Sequence, residues 1–267
     1  MSTIRLFHVN AFSREPFGGN PAVVGLGLAL PDAVLQTMAA EFNLSETAFL
    51  TPLGYAHYQL RWFTPKIEVE LCGHGTLAAA HVLWQTGAVA AHDIIRFETL
   101  SGVLLARREE EWIWLDFPCI PLTPLALDPA YAVALGCQPV QTMAAGAKFL
   151  FELASEEEVR AISPDFHTLR TLPGRGLIVT APSSRPEDDF VSRYFAPWVG
   201  VEEDPVTGSN HCALMPFWAE RLGKQQLRAR QLSSRGGDLR LELQGERVLM
   251  AGLALTLWQG EWLQPLA

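Results

Sequence analysis

The chain has 267 residues, 49% hydrophobic and 18% charged, with 20 Lys and Arg against 29 Asp and Glu for a net charge of −9. That length holds one large or two small domains around a sizeable apolar core, without need of a disulfide scaffold. An acidic chain with no Lys/Arg cluster excludes a nucleic-acid partner, and no run of about 18 uninterrupted apolar residues suggests a membrane span.

Taken in chain order, residues 4–11 read as a strand. Residues 31–42 read as an amphipathic helix with Pro31 at its start and Val34, Leu35, Met38 and Phe42 at helical spacing. Asn43 suits the left-handed cap that would close it. Further strands are predicted at 57–63, 94–99, 103–107, 112–117, 177–181, 239–243 and 253–257. The helices at 75–85 (GTLAAAHVLWQ) and 209–219 (SNHCALMPFWA) are apolar on nearly every side, as buried helices are. Their separation by about half a chain predicts an α/β (α+β) fold of two similar lobes, each a curved sheet wrapped around one helix. The proline-rich stretch 118–129 carries no periodicity and reads as the linker. It divides the chain into an N-terminal lobe at 1–117, with the final stretch of chain as a candidate addition, and a C-terminal lobe at 118–257.

Cys72, Cys119, Cys137 and Cys212 are far apart with no CxxC pair. The N-terminus lacks the apolar stretch of a signal peptide. Both features predict free thiols and a cytoplasmic protein.

Chemistry is expected first at the starts of the two apolar helices, where unpaired amides and the helix dipole favour an anion. Gly73, Gly75, Gly208 and Ser209 are small enough to admit a carboxylate there; the same residues would serve equally as plain caps. His74 stands at the first start, where the dipole favours neutral imidazole. Asp204 precedes the second and could be a simple turn residue. Glu46 lies where LSETAF, residues 44–49, turns apolar. A carboxylate at such a boundary is partly desolvated, which raises its pKa toward proton transfer, although a solvated Glu is the ordinary alternative. Neither Cys72/His74 nor His211/Cys212 has zinc-site spacing, so no metal is expected. His81 and His211 read as hydrogen-bonded core residues. No nucleotide-binding glycine motif and no GxSxG is present.

Four segments in order resemble the phenazine-biosynthesis isomerase (PhzF-like) family of the diaminopimelate-epimerase-like superfamily. They are NAFSREPFGGNPAVV at 10–24, LSETAF at 44–49, FTP at 63–65 with ELCGHGT at 70–76, and EDPVTGSNH at 203–211. The stretch ARQLSSRGG at 229–237 looks familial too. The resemblance implies two barrel-like, mostly antiparallel lobes around central helices, with the active site in the cleft between them. It implies Glu46 as general acid/base, His74 and Asp204 as further catalytic groups, and Asn20, Gly73, Gly75, Gly208 and Ser209 as substrate-binding residues. The implied reaction moves a proton between carbons of a small carboxylate-bearing substrate without a cofactor. A homodimer is also implied. The family name describes ancestry and does not by itself place the chain in a phenazine pathway.

Two departures stand out. Asn10 replaces an aspartate common in the first segment. Cys72 stands where the epimerase branch has its first catalytic cysteine, but Pro205 occupies the position of the second, which disfavours a two-thiol racemase. A Cys72-dependent racemase and a catalytically silent binding module are the alternatives.

Overall fold

A computed structural model describes residues 4–27 and 30–263. Two compact units form, Met1–Phe117 with Met250–Ala267, and Pro118–Leu249.

The first unit runs β1 (Arg5–Ala11), β2 (Asn20–Leu26), α1 (Asp32–Phe42), β3 (Glu46–Gly54), β4 (His57–Phe63), β5 (Glu68–Val69), α2 (Gly73–Gln85), β6 (Ile95–Thr99), β7 (Gly102–Glu109) and β8 (Trp112–Pro118). The second runs β9 (Leu122–Pro124), α3 (Ala130–Leu135), β10 (Gln141–Ala145), β11 (Lys148–Glu152), α4 (Glu156–Ala161), α5 (Phe166–Thr171), β12 (Leu177–Pro182), β13 (Phe190–Ala196), β14 (Val201–Glu203), α6 (Gly208–Leu222), β15 (Gln226–Gln231) and β16 (Gly237–Gln244). β17 (Arg247–Gly252) leads to β18 (Ala254–Glu261), which pairs antiparallel with β1 from Arg5↔Glu261 to Ala11↔Ala254. That pairing is why the chain from Met250 onward groups with the first unit, whereas the sequence pattern carries the second lobe to residue 257.

The two units repeat one pairing scheme. In the first, β1 pairs antiparallel with β2, β2 parallel with β3, β3 antiparallel with β4, β4 parallel with β6, and β6 antiparallel with β7. In the second, β10–β11, β11–β12, β12–β13, β13–β15 and β15–β16 keep the same alternation. Each parallel step needs a crossover, and helices supply all four: α1 and α2 in the first unit, α4 with α5, and α6, in the second.

α2 packs against β1, β2, β3 and β18, so its ring of small and apolar residues, Leu77 to Ala80 with Val82, Leu83 and Trp84, is buried on all sides. α1 covers the other face of the sheet: Leu35, Met38 and Ala39 pack with Leu6, Val23, Phe49 and Phe63. β3 is therefore buried on both faces, and its run Thr47–Leu50 is continuously enclosed. Asn43 caps α1 at φ 51°, the left-handed conformation expected from its side chain.

Gly19 sets the start of β2. Its φ is +68°, and a Cβ there would stand 2.2 Å from the Ala11 carbonyl oxygen, so only glycine fits. Nearby, Asn10 Nδ2 donates to the Pro16 carbonyl at 2.8 Å, a bond that an aspartate carboxylate there could not donate.

The stretch read as a linker is instead tied down. Pro216 lies inside α6 and has no N–H for the Cys212 carbonyl four residues back. Ile120 N–H takes that carbonyl at 3.0 Å, Cys119 N–H donates to Glu246 O, and β9 pairs with β10. A missing helical hydrogen bond thus becomes an anchor for the segment after β8. Among the described residues no helix is long and apolar enough to cross a membrane, and no disulfide joins any of the four cysteines.

Candidate active site

In the first unit, α1 stops at Asn43 and only Leu44 and Ser45 separate it from β3, so Glu46 is held where the strand enters the core. Its side chain is 22% exposed. Burial pushes the carboxyl above the usual carboxylate range, and a hydrogen bond from Ser45 opposes part of that rise. One carboxylate oxygen, Oε2, lies 3.3 Å from His74 Nε2. Ser45 Oγ lies 3.4 Å from the same nitrogen and donates toward Asn20 Oδ1 at 3.5 Å. Asn20 is fully buried at the start of β2. Four expected or adjacent residues from three elements therefore converge on one polar spot: a carboxylate, an imidazole, a hydroxyl and an amide.

His74 is buried in the first turn of α2, which starts at Gly73, two residues earlier than the periodicity predicts. The reason is Cys72, an extended N-cap whose Sγ accepts the Gly75 N–H at 3.3 Å while Thr76 donates its hydroxyl to the Cys72 carbonyl. Cys72 is therefore a helix cap, and the Gly75 amide expected at a carboxylate is already taken by sulfur. Gly75 is small for another reason: a Cβ there would meet Trp62 Cδ1 at 2.8 Å and Cys72 Sγ at 3.0 Å. Gly73 is the partly accessible residue of this turn. Cys72 Sγ also lies 3.6 Å from His74 Nδ1. Glu46, Cys72 and His74 offer ligand atoms within 4.8 Å of one another, a set that zinc chemistry could use although the spacing along the chain shows no sign of it.

In the second unit, α6 starts at Gly208 behind the N-cap Thr207, one residue before the expected start. Asp204 is half-buried; its Oδ2 accepts the Thr207 hydroxyl, and its N–H donates to the Tyr194 carbonyl at 3.0 Å. Gln231, fully buried at the end of β15, binds this turn from three sides. Its Oε1 accepts the Thr207 N–H at 2.9 Å, and its Nε2 donates to the Asp204 carbonyl at 2.8 Å and to Thr207 Oγ1 at 3.2 Å. Ser233 adds a bond to the Pro205 carbonyl. The familial stretch 229–237 thus acts as the brace of the 203–209 turn. Gly208 is buried and Ser209 is partly accessible at the helix N-terminus, where dipole and early amides favour an anion.

Sequence reasoning missed Gln231, Ser45 and Lys148. Lys148 Nζ donates to Ser209 Oγ at 2.8 Å and to Asn210 Oδ1 at 2.6 Å. The available signal was a lone cation opening the apolar strand KFLFE. His211 is fully buried, as expected of a core residue: Nδ1 bonds the Thr207 carbonyl at 3.0 Å, and burial pulls its pKa down to about 4. His81 bonds Thr256 Oγ1 at 3.1 Å within the first unit. Cys212 is buried and its thiol pushed up to about 12, which leaves it protonated and unreactive.

Comparison with known proteins agrees with this architecture. The chain is 50% identical over 256 residues to a protein of Pseudomonas aeruginosa named an uncharacterized isomerase, covering 95% of this chain and 97% of that one. The crystal structure of a phenazine biosynthesis protein of the PhzF family from Enterococcus faecalis superposes with a TM-score of 0.93 at 43% identity, over 98% of this chain and 100% of that one. A hydroxyproline epimerase from Agrobacterium vitis, at 12% identity and a TM-score of 0.60 over 97% of this chain and 92% of that one, shares the fold. Residues 9–260 match the family model described as phenazine biosynthesis-like protein, and the chain belongs to that family.

Proposed function

We propose that the chain is a cofactor-independent isomerase that moves a proton between carbons of a small carboxylate-bearing substrate, with Glu46 as the acid/base. Kinship to proteins named isomerases supports the reaction class. The observation that carries the residue assignment is Glu46 itself: a carboxyl with raised proton affinity, partly accessible, and in contact with His74. As carboxylate it removes a proton from an acidified C–H, and the bonding pair moves into the conjugated system. As carboxylic acid it returns that proton to a second carbon, so double bonds shift and the enzyme ends as it began. His74 and Asp204 orient polar substituents or stabilise charge as it develops, and Asn20, Gly73, Gly208 and Ser209 bind the substrate. Gly75 serves through its small size rather than through its amide.

A panel of small acids, including dihydro-3-hydroxyanthranilic acid, related cyclic dienes, proline and diaminopimelate, tests the proposal by proton NMR. Glu46→Gln should abolish turnover of the compound that wild type converts, yet still bind it. Ser209→Ala and Asp204→Asn should raise KM. Unchanged turnover in Glu46→Gln would end the assignment.

A further inference from the structure

The second unit contains a cation where helix electrostatics disfavour one. Lys148 is half-buried at the start of β11, beside the N-terminus of α6, the positive end of the helix dipole. Its Nζ donates to Ser209 Oγ and Asn210 Oδ1, and stands 4.9 Å from the centroid of the Tyr194 ring. Tyr194 is itself pressed against Gly176, where a Cβ would lie 2.2 Å from its hydroxyl oxygen. The ammonium is thus confined by a ring beneath and two acceptors beside it.

Donor and acceptor roles at this turn are set by the ammonium, which has three donors and no acceptor. Ser209 Oγ accepts a hydrogen bond from Lys148, so the Ser209 hydroxyl is left to donate elsewhere. Asn210 Oδ1 is likewise fixed as an acceptor. Ser209 is partly accessible, and the early amides of α6 are donors with no partner four residues earlier in the helix. The local array is therefore rich in donors, with the Asp204 carboxylate occupied by the Thr207 hydroxyl, and an anionic acceptor is its complement.

We propose that Lys148 is a positioning residue that sets Ser209 as a hydrogen-bond donor at the start of α6 and makes this turn select a carboxylate over a neutral group. This rests on the substrate-binding role proposed for Ser209, and it adds the residue that confers the preference. Burial pulls Lys148 down to about 8; Cys212 and Asp204 act against that fall and Arg175 with it. Around it, Tyr194 and Cys212 are each pushed up to about 12 and His211 is pulled down to about 4. Lys148 is therefore the facing group that changes charge just above neutrality.

The test uses benzoate and its neutral isostere benzamide, titrated into the 15N-labelled full chain with the Gly208 and Ser209 amides as reporters. Wild type should show saturable shifts with benzoate and none with benzamide. Lys148→Met should weaken benzoate by about tenfold or more, because Ser209 then loses the charge-assisted bond that fixes it as a donor. Lys148→Arg should retain it, a rescue that a purely structural role would not require. Benzoate offers no acidified C–H for isomerisation, so its binding reads the turn alone and a failure here is distinguishable from a failure of the proton-transfer assignment. Should Lys148→Met not fold, wild-type affinity should fall as pH rises through about 8. Wild-type affinity in Lys148→Met, an affinity flat with pH, or no saturable shift at these amides would each overturn the proposal.

Discussion

Cys72 is the residue whose two readings, thiol chemistry or helix cap, differ most in consequence. It is 6% exposed, and its Sγ holds the Gly75 N–H at 3.3 Å. Cys72→Ala removes the cap acceptor, worth about 1 kcal/mol, and leaves a sulfur-sized void worth about another 1 kcal/mol. The sum of about 2 kcal/mol corresponds to a fall in Tm of roughly 4–8 °C for a chain of this size. Cys72→Ser removes the sulfur but restores an oxygen acceptor of the preferred N-cap class, so it should recover about 1 kcal/mol of the loss. Thermal unfolding monitored by circular dichroism reads the order wild type, Ser, Ala. Deuterium exchange into substrate should stay within about threefold of wild type in both variants, because a buried sulfur engaged in capping is not the acid/base. A serine variant no more stable than the alanine variant would refute the cap. A hundredfold loss of exchange in both would restore the thiol to the chemistry.

The same geometry makes three further outcomes measurable. The acid limb of kcat/KM should lie above the ordinary carboxylate range, and Ser45→Ala should move it higher, because the Ser45 hydrogen bond lowers the Glu46 pKa; a limb unmoved by Ser45→Ala contradicts that bond. Since the folded pKa of Glu46 is raised, the stability associated with it is complete below the unfolded pKa and is lost as pH rises through the folded one. Glu46→Gln should therefore raise Tm at neutral pH and change it little in acid, and a lowered neutral Tm would contradict the burial argument. Gly19→Ala must adopt φ +68° and push a Cβ against the Ala11 carbonyl, so chemical denaturation should show a loss of about 2 kcal/mol or more; a neutral effect would mean that the turn before β2 yields easily.

Periodicity set how much of the fold was legible in the sequence. α1, its Asn43 cap and β4 were readable because a 3.6-residue or two-residue pattern reached the surface on one side. The two apolar helices were readable for the opposite reason, since α2 packs on β1, β2, β3 and β18 and so leaves no polar face. β2 was hidden by Pro21 and Gly25 in NPAVVGL, which mimic a loop. β11 and β13 lack strict alternation because each has a parallel partner and packs into the second unit's core, with α4 against β13. At the site, Glu46 was visible as a carboxylate beside an apolar run, but its approach to His74 joins residues 28 positions apart and no spacing rule reports it. Gln231 and Lys148 act through partners 24 or more positions away, which is why a resemblance in the 229–237 stretch could be seen while its purpose could not.

In the proposed reaction the Glu46 carboxyl carries the proton from one carbon to the other. The direct measurement is proton and deuterium NMR of substrate turned over in D2O by wild type and by Glu46→Gln. Wild type should place deuterium at the receiving carbon, and Glu46→Gln should bind the same compound yet incorporate none. Incorporation by Glu46→Gln at the wild-type rate would contradict it and assign the proton to another group.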